Sequence, residues 1–306
     1  MTGVQTCALP ISNGLVISRS RKWATVQWES REELCKLTDD LAQRGAALAP
    51  GDRVLVERIE GEPWVRAVSE RRTKLSRAAM EHSGAPEQVF AANIDVLVVV
   101  ASTTRPVFRA GLVDRYLIAS EIGGVTPILC INKMDLVNAE PPEIQAYREI
   151  GVQVITTSVE TGQGIADLRE ALGGKLSVFA GHSGVGKSSL LNALQPGLSL
   201  DTAEISDATN KGRHTTTTAK LFHLEGGIRI IDTPGIRALG LWEVSPEAVA
   251  YYFPEIAEYS AACKFRDCTH THEPKCGVRD AVASGAISSH RFASFQRIRE
   301  SLKNDD

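Results

Sequence analysis

The chain has no stretch long enough to cross a membrane as a helix. Its longest apolar run, Val96–Ala101, is far short of the roughly 20 residues a spanning helix needs. No basic opening followed by an apolar stretch is present, so no secretory signal is expected. Net charge is small, −3 over 306 residues, and the average alone points to neither a nucleic-acid nor a membrane partner. Cysteine is scarce: six residues, three of them close to position 270. Without export, such clustering reads as a metal site in a reducing cytoplasm and not as a disulfide framework. Repeats and low-complexity tracts are missing too. What remains is apolar content sufficient for two or three domains. Residues 1–11, MTGVQTCALPI, fit no later pattern and are set aside as a leader.

Residues 12–85 hold short β-type runs, Gly14–Ser18, Trp23–Trp28, Arg53–Arg58 and Trp64–Val68, punctuated by Pro50-Gly51-Asp52 and Glu60-Gly61-Glu62-Pro63. This pattern predicts a small antiparallel barrel of OB-like type, a common RNA platform. The segment ends in a basic run, Arg71 to Arg77, which reads either as a solvated connector or as a contact for RNA phosphates. From 86 to 240 the rhythm changes. Strand-like runs at Asp95–Ala101, Pro127–Ile131, Val152–Thr156 and Leu176–Ala180 alternate with helical stretches near 109–122, 141–150 and 164–172. That alternation predicts an α/β domain with a mainly parallel sheet. Residues 241–306 carry a predicted helix at Pro246–Tyr252, a Cys/His cluster and further helical runs.

Gly181-His182-Ser183-Gly184-Val185-Gly186-Lys187-Ser188 matches G-x-x-x-x-G-K-[ST] between a strand and the helical run that begins at Ser189. In that setting the glycines let backbone N–H groups wrap a β-phosphate at a helix N-terminus. Lys187 reaches toward the β- and γ-phosphates, and the Ser188 hydroxyl is a ligand for Mg²⁺. The loop by itself does not separate ATP from GTP.

Asn132-Lys133-Met134-Asp135 follows the strand Pro127–Ile131, at the edge where α/β sheets bind ligands. A carboxylate at Asp135 can accept from both guanine N1–H and the 2-amino group. Adenine offers neither and would leave it unpaired. Four letters are a weak signal alone, and the neighbourhood supplies the rest. Thr157-Ser158-Val159 follows the next strand, where a backbone donor to the base O6 is expected. Asp232-Thr233-Pro234-Gly235 follows Ile228–Ile231, the place of an aspartate and glycine that sense Mg²⁺ and the γ-phosphate. Gly212-Arg213-His214-Thr215-Thr216-Thr217-Thr218 is a threonine-rich switch, with Thr215 or Thr216 the expected Mg²⁺ ligand. The order is unusual, because Asn132 precedes Lys187 by 55 residues. Read cyclically from Gly181 the elements take the usual GTPase order, which predicts a circular permutation joined through Gly173-Gly174-Lys175.

On these motifs, with GRHTTT at 212–217 and the cysteine spacing below, the chain resembles the ribosome small subunit-dependent GTPase A family over nearly everything after residue 12. The resemblance implies a circularly permuted P-loop GTPase domain between an N-terminal OB-like barrel and a C-terminal zinc-binding, mainly helical domain. It also implies a monomeric cytoplasmic factor that binds the small ribosomal subunit and its rRNA, is stimulated by it, and hydrolyses GTP to GDP during late maturation. A nucleotide-sensing RNA-binding checkpoint module, with hydrolysis incidental, is the competing class. Val159 departs from the alanine common at its position, which matters little to a backbone contact.

Cys263, Cys268, His270 and Cys276 place three thiols and an imidazole within 14 residues. This donor set suits tetrahedral Zn²⁺ with no open position, hence a structural site. His272 competes with His270 as the fourth ligand, and the resemblance favours His270. Many GTPase switches carry a water-orienting glutamine just after the D-x-x-G. Here the residue is Ile236, which cannot orient water. His214 is the internal catalytic candidate.

Overall fold

The computed structural model describes residues 12–20, 22–43, 48–78, 87–196, 219–232, 241 and 244–303. They fall into two compact units. One holds the described residues up to 95 with 174–178 and 219–232. The other holds 96–173, 179–196 and those from 241 onward.

In the first unit, β1 (Ser12–Arg19), β2 (Trp23–Trp28), β3 (Arg31–Leu37), β4 (Arg53–Ile59) and β5 (Glu62–Val68) form a closed circuit. The order is β1-β2-β3-β5-β4, and β4 pairs back onto β1. Every junction is antiparallel except β3 with β5. Period-two alternation drives it: in β2, Ala24, Val26 and Trp28 point inward and the intervening residues do not. These meet Val16, Cys35, Leu37, Val54, Val56 and Val65 in one core. Gly14 permits the closure, since a Cβ there would stand 2.5 Å from Val26 Cγ1.

Sequence reading missed β3. Its opening Arg-Glu-Glu is poor strand material, and its state is set by pairing on both sides. The basic run became structure too. Lys74–Ala78 is β6, paired with β7 (Glu87–Ala92). Its cations are engaged within the chain. Arg71 makes two hydrogen bonds to the fully buried Asp52, at 2.7 and 2.8 Å, Arg72 meets Asp95, and Lys74 meets Glu87. Arg77 lies over Phe90. The same unit holds β12 (Lys220–His223) antiparallel to β13 (Arg229–Asp232), with residues 176–178 parallel to β13.

In the second unit, β8 (Val96–Ser102), β9 (Thr126–Asn132) and β10 (Gln153–Thr156) run parallel. All of β8 is buried, as expected of a parallel strand covered on both faces. Crossovers α2 (Ala110–Gly123) and α3 (Glu143–Glu149) join them, and α4 (Ile165–Leu172) follows β10. Gly173 ends α4 and Gly174 turns at φ +68° into β11 (Leu176–Ala180), the junction the permutation requires. After β11 come α5 (Lys187–Leu194), α6 (Pro254–Ser260), α7 (Gly277–Ser284) and α8 (Ser289–Lys303), the last packed on α2. The five-residue helix Asp39–Gln43 in the barrel is α1. The helix predicted at Pro246–Tyr252 is a 3₁₀ turn over Ala248–Tyr252. No helix among the described residues is long and apolar enough to cross a membrane.

Candidate functional site

The phosphate-loop motif occupies the turn from β11 into α5. Gly181 stands at φ +147°, where a Cβ would lie 2.1 Å from the Val100 carbonyl oxygen. Gly186 stands at φ +96°, where a Cβ would lie 2.4 Å from Asn132 Nδ2. Both positions therefore demand glycine. Lys187 Nζ donates to the carbonyls of Gly181 and His182, both at 2.9 Å, and so spans the loop. His182 Nδ1 lies 2.8 Å from the Ser183 carbonyl. Gly184 turns at φ +78°, Val185 is buried, and Ser188 and Ser189 sit in the first turn of α5. The N-terminus of a helix is a general site for anions, through its first N–H groups and the helix dipole.

The guanine-reader motif lies on the same unit, and the two motifs touch. Asn132 ends β9, only 2% exposed. Its Nδ2 donates to the Val185 carbonyl at 2.9 Å, while its Oδ1 accepts from Thr157 Oγ1 at 3.2 Å. Thr157 is fixed in turn, donating its N–H to the Ile131 carbonyl and accepting from Met134 N–H. The parallel register of β9 and β10 makes this meeting unavoidable, because Thr156 stands beside Ile131. Lys133 adopts a left-handed conformation, φ +64°, and its Nζ donates to the Gly184 carbonyl at 2.6 Å and to that of Arg105. Ser158 Oγ donates to Asp135 Oδ1 at 2.5 Å and orients that carboxylate. Burial pushes the neighbouring Cys130 thiol up to about 12, so it stays protonated beside Thr157.

Asp232 closes β13, in register with Lys220. His214, Thr215, Thr216 and Gly235 lie outside the described residues.

Cys263, Cys268, His270 and Cys276 converge, their ligand atoms all within 4.8 Å of one another. Nδ1 of His270 is 3.5 Å from Cys263 Sγ and 3.4 Å from Cys276 Sγ, and those two sulfurs are 3.8 Å apart. Tetrahedral bonds of about 2.3 Å to sulfur and about 2.0 Å to nitrogen separate ligand atoms by roughly 3.5–3.8 Å. Cys263, His270 and Cys276 thus stand close to ligand spacing, and with Cys268 inside the same 4.8 Å the set could hold a metal ion. Ser260 Oγ donates to the Ile256 carbonyl and lies 3.2 Å from His270 Nε2. It accepts from Nε2–H, which leaves Nδ1 as the ligand atom. Burial lowers the pKa of His270, favouring the neutral imidazole a metal needs. His272 is exposed and turned to Thr271, so the structure brings His270 and not its competitor into the cluster.

Three features escaped the sequence reading. The Thr157 hydroxyl orients Asn132, and Ser260 orients His270. Residues 102–106 hold Lys133, with Thr103 Oγ1 donating to its carbonyl at 3.2 Å and Ser102 Oγ tying the segment to the Pro106 carbonyl at 2.6 Å. The position of 103–106, directly after a fully buried parallel strand, was the available signal.

Against known proteins, the family model for the RsgA GTPase matches residues 68–242. Two relatives named small ribosomal subunit biogenesis GTPase RsgA cover most of the chain. That of Yersinia enterocolitica is 38% identical over 305 residues, spanning 95% of this chain and 85% of the relative. That of Sodalis glossinidius is 41% identical over 302 residues, spanning 94% and 85%. Among solved structures, YjeQ from Thermotoga maritima superimposes with a TM-score of 0.74 at 33% identity, covering 96% of this chain and 99% of that one. YloQ, described as a circularly permuted GTPase, gives 0.71 at 31% identity, covering 99% of each.

Proposed function

The chain belongs to the RsgA GTPase family, a GTP-hydrolysing enzyme of ribosome biogenesis, and on that footing we propose that it binds the small ribosomal subunit and its rRNA late in maturation and is stimulated by them. The observation that carries the nucleotide site is the 2.9 Å bond from Asn132 to the Val185 carbonyl. It fastens the base-reading turn to the phosphate loop although the motifs stand in inverted order. In this reading Asp135 accepts from guanine N1–H and the 2-amino group, and Lys133 lies along the ring. Ser158 serves through its hydroxyl. Its N–H is engaged by the Gln163 carbonyl at 3.0 Å, so the donor to the base O6 is the N–H of Val159. Residues 181–189 wrap the phosphates, with Lys187 on the β- and γ-phosphates and Asp232 and Gly235 on the γ side.

Ser188, buried in the first turn of α5, and Thr215 or Thr216 are the residues that would hold Mg²⁺, whose charge offsets that developing on the phosphates. Water attacks the γ-phosphorus, the bond to the β–γ bridging oxygen breaks, and GDP and phosphate leave. His214 is the group assigned to orient that water. The Cys₃His set is assigned one structural Zn²⁺ per chain, which its spacing and thiolate-rich chemistry favour. The working unit is a cytoplasmic monomer organised as barrel (12–85), permuted GTPase domain (86–240) and zinc-binding domain (241–306).

The test is the GTP turnover of the purified protein with small subunits, large subunits and protein-free rRNA. Stimulation by small subunits above the other two supports the proposal. Binding to small subunits without stimulation would make it a nucleotide-sensing checkpoint module instead.

A further inference from the structure

One strongly charged cluster has no part in the site described above. Arg291, on α8, is buried, and its Nε donates to Glu255 Oε1 on α6 at 2.6 Å. A second nitrogen donates to Glu255 Oε2 at 3.3 Å, and the third to Asp114 Oδ1 on α2. The guanidinium also lies over two rings, 4.4 Å from the centroid of Phe253 and 5.3 Å from that of Tyr147. The Asp114 side chain is wholly buried and that of Arg291 is 4% exposed. A buried ion cluster of this kind is weak support for stability, because apolar residues of the same shape often do as well. What it does impose is geometry: the guanidinium plane admits one arrangement of the helices that meet it.

The helix so held is α2, and its first turn leads back to the nucleotide site. Tyr147 Oη, in the same cluster, donates to the Ala110 carbonyl at 3.4 Å, and Asp114 follows one turn later. Immediately before α2 runs the segment 103–109. Thr103 grips the Lys133 carbonyl and the Arg105 carbonyl accepts from Lys133 Nζ. Lys133 is thus held at both ends by a segment whose far end is set by Arg291.

We propose that Arg291 is a positioning residue for the guanine nucleotide: it fixes the first turn of α2 and, through segment 103–109, the pose of Lys133. The proposal rests on the reading of Lys133 as a base-contacting residue. It gives the C-terminal helices a hold on nucleotide release. α6 and α8 are the same helices that flank the Cys/His cluster, since Ser260 ends α6 and Phe295 of α8 lies 6.0 Å from the His270 ring.

The experiment measures release of a fluorescent GDP analogue by stopped flow. The variant is Asp114→Asn/Glu255→Gln/Arg291→Met, which removes all three charges and the guanidinium fork while keeping the shapes of the two acids, with circular dichroism and metal content as checks on folding. Release should quicken about threefold or more, and adding Lys133→Ala should then cost less than it does in the wild type, the signature of coupled residues. A merely structural role would lower the melting temperature but leave release unchanged and the two effects multiplicative, and either result overturns the proposal. If the triple variant does not fold, Tyr147→Phe decides: faster release supports the proposal and an unchanged rate overturns it. A wild type that fails to bind the analogue would instead overturn the reading of the nucleotide site itself.

Discussion

Gly186→Ala is the substitution for which the structure gives the fullest ledger. At φ +96° the new residue carries a conformational penalty of about 1–2 kcal/mol. Its Cβ would also stand 2.4 Å from Asn132 Nδ2. The end of a side chain is ordinarily cheap to displace, but this amide is held by Val185 on one side and Thr157 on the other. Moving it leaves buried polar groups unpaired, for about 1–2 kcal/mol more. If the free loop relaxes to escape the strain, the sum of about 2–4 kcal/mol appears in nucleotide binding, an affinity loss of roughly 30- to 1,000-fold. If the loop stays rigid, the same sum appears in stability. Titration with a fluorescent GDP analogue and urea unfolding together capture both. Two further variants separate the contributions. Gly184→Ala has φ +78° but nothing nearer its Cβ than Pro106 Cδ at 3.8 Å, so it should show only the conformational part. In an Asn132→Ala background, where the obstructing amide is gone, Gly186→Ala should likewise fall to about 1–2 kcal/mol. Wild-type affinity and stability for Gly186→Ala, or an undiminished effect in that background, would refute the reasoning.

Asp135→Asn should weaken GTP relative to xanthosine triphosphate by about tenfold or more, since the guanine 2-amino group loses its acceptor; competition binding with an unchanged preference would remove Asp135 from that role. Asp52→Ala should cost the barrel about 3–5 kcal/mol, because the carboxylate is fully buried and accepts from both Arg71 and the Ala49 N–H. Urea unfolding that shows less than about 1 kcal/mol would mean Arg71 finds water easily. Cys276→Ser should lower zinc content, measured by atomic emission, while GDP binding survives. Freshly purified wild type without zinc would contradict the assignment.

How much was legible depended on whether a residue's state is set locally or by its partners. The strand β8 could be read because six consecutive apolar residues have no exposed alternative. The phosphate loop could be read because Gly181 and Gly186 are dictated by backbone conformation and close approach, which leave letters in the sequence. Strand β3 could not, since Arg31, Glu32 and Glu33 carry no strand preference and are extended only because β2 and β5 flank them. In the run from Arg71 to Arg77 the intrachain partners were hidden for the same reason. Arg71 answers Asp52, which the sequence showed only as part of a Pro-Gly-Asp turn. Asp114, Glu255 and Arg291 lie far apart along the chain, and no local pattern marks them as one cluster. The inverted motif order, by contrast, was visible at once, because permutation rearranges motifs without altering them.

The most direct test of a nucleotide-controlled ribosome factor is its affinity for purified small subunits in two states, loaded with a non-hydrolysable GTP analogue and with GDP, measured by co-sedimentation. A nucleotide shifts a binding equilibrium only by its differential affinity for the two states. Binding about tenfold tighter with the analogue, a coupling of about 1.4 kcal/mol, is the expected result. Equal affinity in the two states would contradict the account.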